Sequence, residues 1–408
     1  MDAVTLGMAK SANKRRDADT SAPGSVGQRI FGGRMGTYDG TSPTTFQVAC
    51  ELPQHFDAIQ VVLANTQTRF SDQAVSIKAG VVAAAADINT SGSGFVSVTK
   101  GTLARVATHV AWGTSKISYT LTDMVPLPSI ARTDGGTKPL VVIRAYFAAN
   151  PSLPVVGNGT DSFTNWASRT DGHRWIMRAE AGDALTTFTS TTNISQSPIV
   201  GVRFLSRGRV VNVVAVGDSI TDGRGTYLGE SHVALAANEL SSDRLTVCYS
   251  NCGWSGQVTG VFFERAIDII QQLRPDVLVI PAHSPNDETT TLTAAGIAAG
   301  VARRGRVLAE CAKFGVRPVM WTMLPVNTAV NPWGSSDSLR VALNADALAL
   351  ASRGVLVADT STAVSGATSG GQVQLAAGTN SDGIHPNSDG NVTLAAVLKP
   401  VLARAIGV

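Results

Sequence analysis

Between residues 29 and 205 the chain alternates between short apolar runs and turn-forming clusters. The runs TFQVACEL (45–52), AIQVVLA (58–64), VSIKAGVVAA (75–84), ISYTLT (117–122), LVVIRAYFA (140–148) and RWIMRAE (174–180) are separated by Gly, Pro, Asn, Asp and Ser. Runs of that length with such boundaries read as strands, and their spacing predicts antiparallel sheets packed as a β-sandwich or jelly-roll-like layer. No long helical period and no internal repeat breaks the pattern. Residues 1–28 are small, polar and charged, and are expected to form a flexible or docking arm.

From residue 206 the grain changes. RVVNVVAVG (209–217) is a continuous apolar run of the kind buried on both faces of a parallel sheet. RLTVCYSN (244–251), DVLVIPAH (276–283), RPVMWTML (317–324) and VLVAD (355–359) repeat that character, and each run is followed by a helical pattern. Helices are predicted over 230–240, 258–273, 290–315, 336–353 and 388–405. In the fourth, Leu339, Leu343, Ala347 and Leu350 share one face, and Gly354 closes the helix. Strand–helix alternation through five units predicts a three-layer α/β/α sandwich around a five-stranded parallel sheet over 206–408, preceded by the β-sandwich-like layer of 29–205. On such sheets ligands bind at the carboxyl ends of the strands.

Composition narrows the function classes. The 408 residues are 44% hydrophobic and 15% charged, as in a well-packed globular protein, and the net charge is +3. A balance so close to neutral argues against nucleic acid as a main partner, and the basic cluster Lys14-Arg15-Arg16 is local. No apolar run reaches the roughly 18–20 residues of a membrane span. The N-terminal residues lack the apolar core of a signal peptide. The expected location is the cytoplasm of the producing cell or a phage or prophage particle, and outside the cell if a leader was removed. Of the four cysteines, Cys50 and Cys311 lie in apolar runs as core thiols. Cys248 and Cys252 have no Cys or His pair at zinc spacing, so all four are expected to be free.

The polar loops at the predicted strand ends carry the candidate chemistry. The first holds GDSITDG (217–223), the second NCGWSGQ (251–257), and the third HSPNDE (283–288). A late loop before the last helix holds SDGIHPNSDGN (381–391). A serine hydroxyl becomes a nucleophile when an adjacent base takes its proton, and histidine is the natural base. The imidazole in turn needs a carboxylate to hold one tautomer. Ser219, His385 and Asp382 supply these three groups, and the Asp-x-x-His spacing lets one turn point both side chains the same way. Pro386 keeps His385 out of the following helix. Acyl transfer also needs N–H donors aimed at the developing oxyanion. Candidates are the Ser219 and Gly256 backbone amides and the Asn286 side chain. The G-x-S-x-G nucleophile elbow, dinucleotide and phosphate-loop glycine motifs, and H-E-x-x-H are absent.

Taken in order, Gly217-Asp218-Ser219, Gly256, Asn286 and Asp382 with His385 resemble the four blocks of the SGNH hydrolases, also called the GDSL esterase/lipase family. The resemblance covers roughly 208–406. It implies an SGNH, flavodoxin-like fold with Ser219 as nucleophile, His385 as base and Asp382 as its partner. It also implies an oxyanion hole of Ser219, Gly256 and Asn286, and no metal or organic cofactor. One departure stands out: the third block of the family is usually Gly-x-Asn-Asp, and here it is Ser284-Pro285-Asn286-Asp287.

Other residues have plainer readings. Asp218, Asn251 and Asp287 are expected to brace loops, and His232 to pack within a helix. His283, Trp254 and Trp333 are candidates for substrate contact as well as for packing. The reading as a whole is an esterase for small acyl esters, with an acetylated glycan as the expected substrate. The glycan rests on the appended β-rich layer, the tryptophans beside the blocks, and analogy with family members that carry such layers. A lipase, arylesterase or thioesterase on simple esters is one alternative, and a non-catalytic glycan-binding particle protein is the other. The opening AVTLGMAKSAN loosely resembles phage tail-associated proteins, which adds a homo-oligomer to the expectations.

Overall fold

The computed structural model describes residues 25–31, 34–38, 42–64, 75–89, 92, 94–98, 119–148, 153–157, 175–194, 196–224, 226, 230–242, 244–287, 294–327, 330 and 337–408. Its first part is antiparallel. In chain order the strands are β1 (Val26–Ile30), β2 (Arg34–Tyr38), β3 (Thr44–Glu51), β4 (Phe56–Ala64), β5 (Val75–Val82), β6 (Val96–Ser97) and β7 (Tyr119–Leu121). They continue as β8 (Val125–Pro126), β9 (Leu140–Phe147), β10 (Leu153–Gly157), β11 (Trp175–Ala181), β12 (Gln196–Ser197) and β13 (Ile199–Ser206). One sheet runs β1-β13-β4-β7, with β8 also on β4; a second runs β11-β3-β9-β5-β6, and a small third runs β12-β10-β2.

Period-two alternation explains how the first two sheets pack. Phe46, Val48 and Cys50 of β3 and Val141, Ile143, Ala145 and Phe147 of β9 share one core with Ile59, Val61 and Leu63 of β4 and Val202 and Phe204 of β13. The opposite face of the β4–β13 sheet is also buried. Val62, Ala64 and Val200 pack with Phe262, Ala266 and Ile269 in the core of the second part of the chain. The sandwich and the α/β layer thus share a sheet surface rather than meeting through a linker.

The sequence-predicted arm of residues 1–28 needs one correction. Residues 1–24 lie outside the described residues, but 26–28 belong to β1, paired antiparallel with β13. The polar look of Val-Gly-Gln-Arg-Ile misleads because its backbone is tied to side chains of the other layer. Gln28 N–H donates to Asn212 Oδ1 at 2.8 Å, Asn212 Nδ2 donates to the Val26 carbonyl at 3.0 Å, and Ile30 N–H donates to Ser250 Oγ at 3.0 Å.

The second part is a five-stranded parallel sheet of β14 (Val210–Gly217), β15 (Thr246–Gly253), β16 (Val277–Pro281), β17 (Arg317–Trp321) and β18 (Leu356–Ala358). Its spatial order is β15-β14-β16-β17-β18, the doubly wound order with a switch point beside β14. Alternate residues face opposite layers. Val211, Val213 and Ala215 of β14 pack toward α2 (His232–Glu239) and α7 (Ser388–Ile406). Val214 and Val216 pack toward α3 (Thr259–Leu273) and α4 (Ala294–Phe314). The fold is therefore a three-layer α/β/α sandwich. Two further helices are α5 (Ser338–Ala349) and the single turn α6 (Thr360–Ala363). Of the expected face of 336–353, Leu343, Ala347 and Leu350 are buried and Leu339 is half-buried; Gly354 caps the segment in the left-handed region. Among the described residues no helix is long and apolar enough to cross a membrane.

Candidate active site

Ser219 sits where β14 ends and a single helical turn, α1 (Ser219–Asp222), begins. Asp218 caps that turn: its Oδ1 accepts from Ile220 N–H at 3.0 Å, so the chain reverses sharply and Ser219 takes the first helical position. The first N–H groups of a helix have no acceptor within it, which leaves the Ser219 amide available to a ligand. Asp218 is fully buried. Burial raises its pKa, against the hydrogen bond from Ser284 and the cap amides.

His385 reaches Ser219 from a loop 166 residues further along the chain. Its Nε2 lies 2.9 Å from Ser219 Oγ, and its Nδ1 lies 2.6 Å from Asp382 Oδ2. Asp382 Oδ1 accepts from the Ile384 and His385 amides at 3.0 and 2.8 Å, so the carboxylate also shapes the turn that carries the imidazole. The three side chains form a continuous line from hydroxyl to carboxylate. Burial pushes the Asp382 carboxyl up, but the backbone and ring hydrogen bonds of His385, with the Ile384 amide, outweigh it and hold the pKa below the ordinary carboxylate value. Asp382 is half-exposed, whereas the His385 ring is buried.

The loop of His385 is held by residues that the sequence reading did not single out. Asn327 N–H donates to the Gly383 carbonyl at 2.8 Å, while Asn327 Oδ1 accepts from Leu375 N–H at 2.9 Å. Gly383 has φ +87°, and a Cβ there would lie 2.9 Å from Val330 Cγ2 and 3.0 Å from Asn327 Cβ. Both the backbone angle and the close approach require glycine. Asn387 Oδ1 caps α7 through Gly390 N–H at 2.9 Å, in keeping with the helix predicted to start at residue 388. An asparagine that bonds a segment 48 residues away leaves no periodic signal in a sequence.

The second and third blocks lie beside Ser219. Gly253 pairs with Gly217 in register, and Trp254 N–H donates to the Gly217 carbonyl at 3.0 Å. Gly256 has φ +81°, is exposed, and has no heavy atom within 4 Å of where a Cβ would stand. Its amide thus belongs to an open left-handed turn at the mouth of the sheet. Asn286 Nδ2 donates to the Gln257 carbonyl at 3.1 Å, and its second amide hydrogen remains for another acceptor. Asp287 receives the Thr259 amide at 2.7 Å and also bonds the Thr259 hydroxyl, while Asn251 bonds the Asp222 carbonyl and the Gly253 amide. Asp218, Asp287 and Asn251 are the loop braces expected of them.

The remaining candidates divide. Trp254 is half-buried with the guanidinium of fully buried Arg265 5.1 Å from its ring centre, and Arg265 Nη2 donates to the Cys252 carbonyl at 2.5 Å. Trp333 lies outside the described residues. His283 was a candidate for substrate contact, but its ring is only 3% exposed, beneath α4. A Cβ on Gly300 would lie 3.4 Å from His283 Cε1. The apolar run ends one residue before a turn that rotates this side chain into the helix layer. His232 packs as expected, edge-on to Trp321 with ring centres 5.2 Å apart. All four cysteines are buried free thiols. Among the described residues no group of three or more His, Cys, Asp or Glu side chains is gathered to hold a metal ion.

Burial lowers the pKa of both His232 and His283 to about 4, against an ordinary 6.5. Between these values the unfolded chain binds more protons than the folded one, so stability is full above pH 6.5 and declines as pH falls toward 4. Each histidine contributes up to about 3 kcal/mol to that decline. Thermal melts from pH 7 to 4 are expected to show a falling Tm. His232→Phe should flatten the slope, and an unchanged slope would assign the acid sensitivity to other groups.

Residues 215–392 match the sequence model of the GDSL-like lipase/acylhydrolase family. Comparison with curated proteins finds no match. Among solved structures, the chain is similar to a member of the lipolytic protein G-D-S-L family from Veillonella parvula DSM 2008 (14% identity, TM-score 0.38, covering 48% of this chain and 99% of that one). It is similar also to a GDSL-like lipase from Bacteroides thetaiotaomicron VPI-5482 (17%, 0.39, 48% and 88%). A third is Axe2, an acetylxylan esterase from Geobacillus stearothermophilus (19%, 0.37, 49% and 96%). The α/β layer of this chain, with Gly217-Asp218-Ser219 at the switch point of its parallel sheet, is a GDSL-like lipase/acylhydrolase domain, and the chain is an ester hydrolase.

Proposed function

We propose that this hydrolase is a serine esterase for small acyl esters, acting above all on acetyl groups carried by a carbohydrate. The observation that carries the reading is the Ser219–His385–Asp382 line, with contacts of 2.9 and 2.6 Å at the carboxyl end of the sheet. Ser219 Oγ attacks the ester carbonyl carbon as its proton passes to His385 Nε2. The C–O bond to the alcohol then breaks, and His385 returns the proton to the leaving oxygen. Water attacks the acyl-enzyme through the same base, and acetate departs as Ser219 regains its proton. The Ser219 and Gly256 amides and Asn286 Nδ2 are the donors for the oxyanion in both steps.

The carbohydrate part has separate support. Gly256 is exposed and Asp382 half-exposed, so the reacting groups lie near a surface that a bulky polar acceptor can approach. Half-buried Trp254 stands two residues from Gly256, where an aromatic face suits a sugar ring. The test is acetate release across a panel of acetylated polysaccharides, beside p-nitrophenyl esters of increasing chain length. Release from at least one polysaccharide and a steep fall in turnover beyond short acyl chains are expected. A preference for long chains would point to a lipase, and no turnover of any ester to a binding protein.

A further inference from the structure

Three strand-end loops meet at one hydroxyl. Ser284 is 1% exposed, and its Oγ lies 2.5 Å from Asp218 Oδ2, 3.0 Å from the Gln257 carbonyl and 3.1 Å from the Asn286 amide nitrogen. Asp218 immediately precedes Ser219, Gln257 immediately follows Gly256, and Asn286 is itself the third oxyanion donor. We propose that Ser284 is a positioning residue whose hydroxyl sets the relative placement of these three donors. The inference rests on the serine-esterase reading of the site.

The hydrogen-bond inventory shows how one atom does this. A hydroxyl has one proton and two acceptor sites. Asn286 N–H donates to the oxygen. The proton goes to Asp218 Oδ2, the shorter contact. The Gln257 carbonyl closes the triangle, since it accepts Asn286 Nδ2 at 3.1 Å and lies within reach of the same hydroxyl. Pro285 brings no N–H of its own, so the turn is tied by the Ser284 side chain rather than by an amide at 285.

Ser284 is itself anchored. Its amide donates to Thr259 Oγ1 at 2.9 Å at the start of α3. Asp287, whose N–H donates to the Ser284 carbonyl at 3.2 Å, holds the Thr259 amide. The hydroxyl therefore stands on a rigid helix end while it fixes the segments around it. Oxyanion donors act through preorganisation, so a small displacement lowers transition-state binding more than ground-state binding. Removing the hydroxyl leaves buried Asp218 Oδ2 without this donor and the Asn286 amide without this acceptor.

The test compares the full-length protein with Ser284→Ala, and with Ser219→Ala as control, on p-nitrophenyl acetate. Active sites are counted by reaction with a phosphonate ester, and a short alkylboronic acid serves as the tetrahedral mimic. Ser284→Ala is expected to lower kcat per titrated site about 10- to 100-fold with KM within about threefold. The boronate inhibition constant should rise in parallel with the loss in kcat/KM. A kcat per titrated site within threefold of the parent, or a boronate affinity unchanged while kcat falls, would overturn the proposal. If Ser219→Ala itself retains turnover, the reading of the whole site fails. If it is inactive while Ser284→Ala is unimpaired, only the role of Ser284 fails.

Discussion

Replacing Ser219 by alanine is expected to lower kcat for p-nitrophenyl acetate by on the order of 10⁴-fold or more, with Tm retained. The hydroxyl oxygen is the only atom lost. The turn that presents it is capped by Asp218 through the Ile220 amide, a bond the substitution does not touch. Ser219 is 3% exposed and makes its side-chain contact to His385 Nε2, so the loss falls on proton transfer and covalent attack rather than on packing. His385→Ala is expected to cost a similar factor. The double variant should be scarcely worse than either single one, because hydroxyl and imidazole act as one unit. Steady-state kinetics on the three proteins decides the matter. A Ser219→Ala protein retaining a tenth of the parent turnover would place the nucleophile elsewhere.

Asp382→Asn is expected to lower kcat by on the order of 10³- to 10⁴-fold while leaving KM nearly unchanged. The reason lies in which oxygen does what. Asp382 Oδ1 accepts from the Ile384 and His385 amides, and these two fixed donors will keep the asparagine oxygen in that place. The new NH₂ group then stands where Oδ2 now meets His385 Nδ1 at 2.6 Å. Facing a donor, Nδ1 must become an acceptor, so Nε2 carries the proton and cannot take one from Ser219. The backbone of the turn is undisturbed, so Tm should hold. Turnover within tenfold of the parent would show that the imidazole keeps its tautomer without the carboxylate.

Much of this architecture was legible in advance because it follows from local periodicity. The five apolar runs from 209 to 359 became the five parallel strands, and the predicted helices at 258–273 and 388–405 became α3 and α7 within a residue or so. Continuous apolar runs survive as such only where both faces of a strand are covered, which is why they identify a parallel sheet. Of the strands of 29–205, β3, β4, β5, β7, β9 and β11 were legible through their turn residues, while β2, β10 and β13 and the two-residue strands were not read. β1 was not, since its backbone is tied to Asn212 and Ser250 of the other layer, and a sequence window does not contain those partners. His283 was misleading for a related reason: whether a strand-end side chain enters the cleft or the helix layer depends on the turn that follows.

By itself, the sequence determined the residue types of the candidate site and the order of its blocks, because the proposed reaction demands a nucleophile, a base, an orienting carboxylate and amide donors. It determined too that these groups fall in loops after apolar runs, where a doubly wound sheet collects its strand ends. Tertiary structure alone decided that Ser219 and His385, 166 residues apart, stand 2.9 Å from each other. It also decided that Asn327 holds the histidine loop and that the Ser284 hydroxyl joins three segments. Hydrogen bonds of that reach carry no period and no spacing along the chain, so they exist only once the layers have packed.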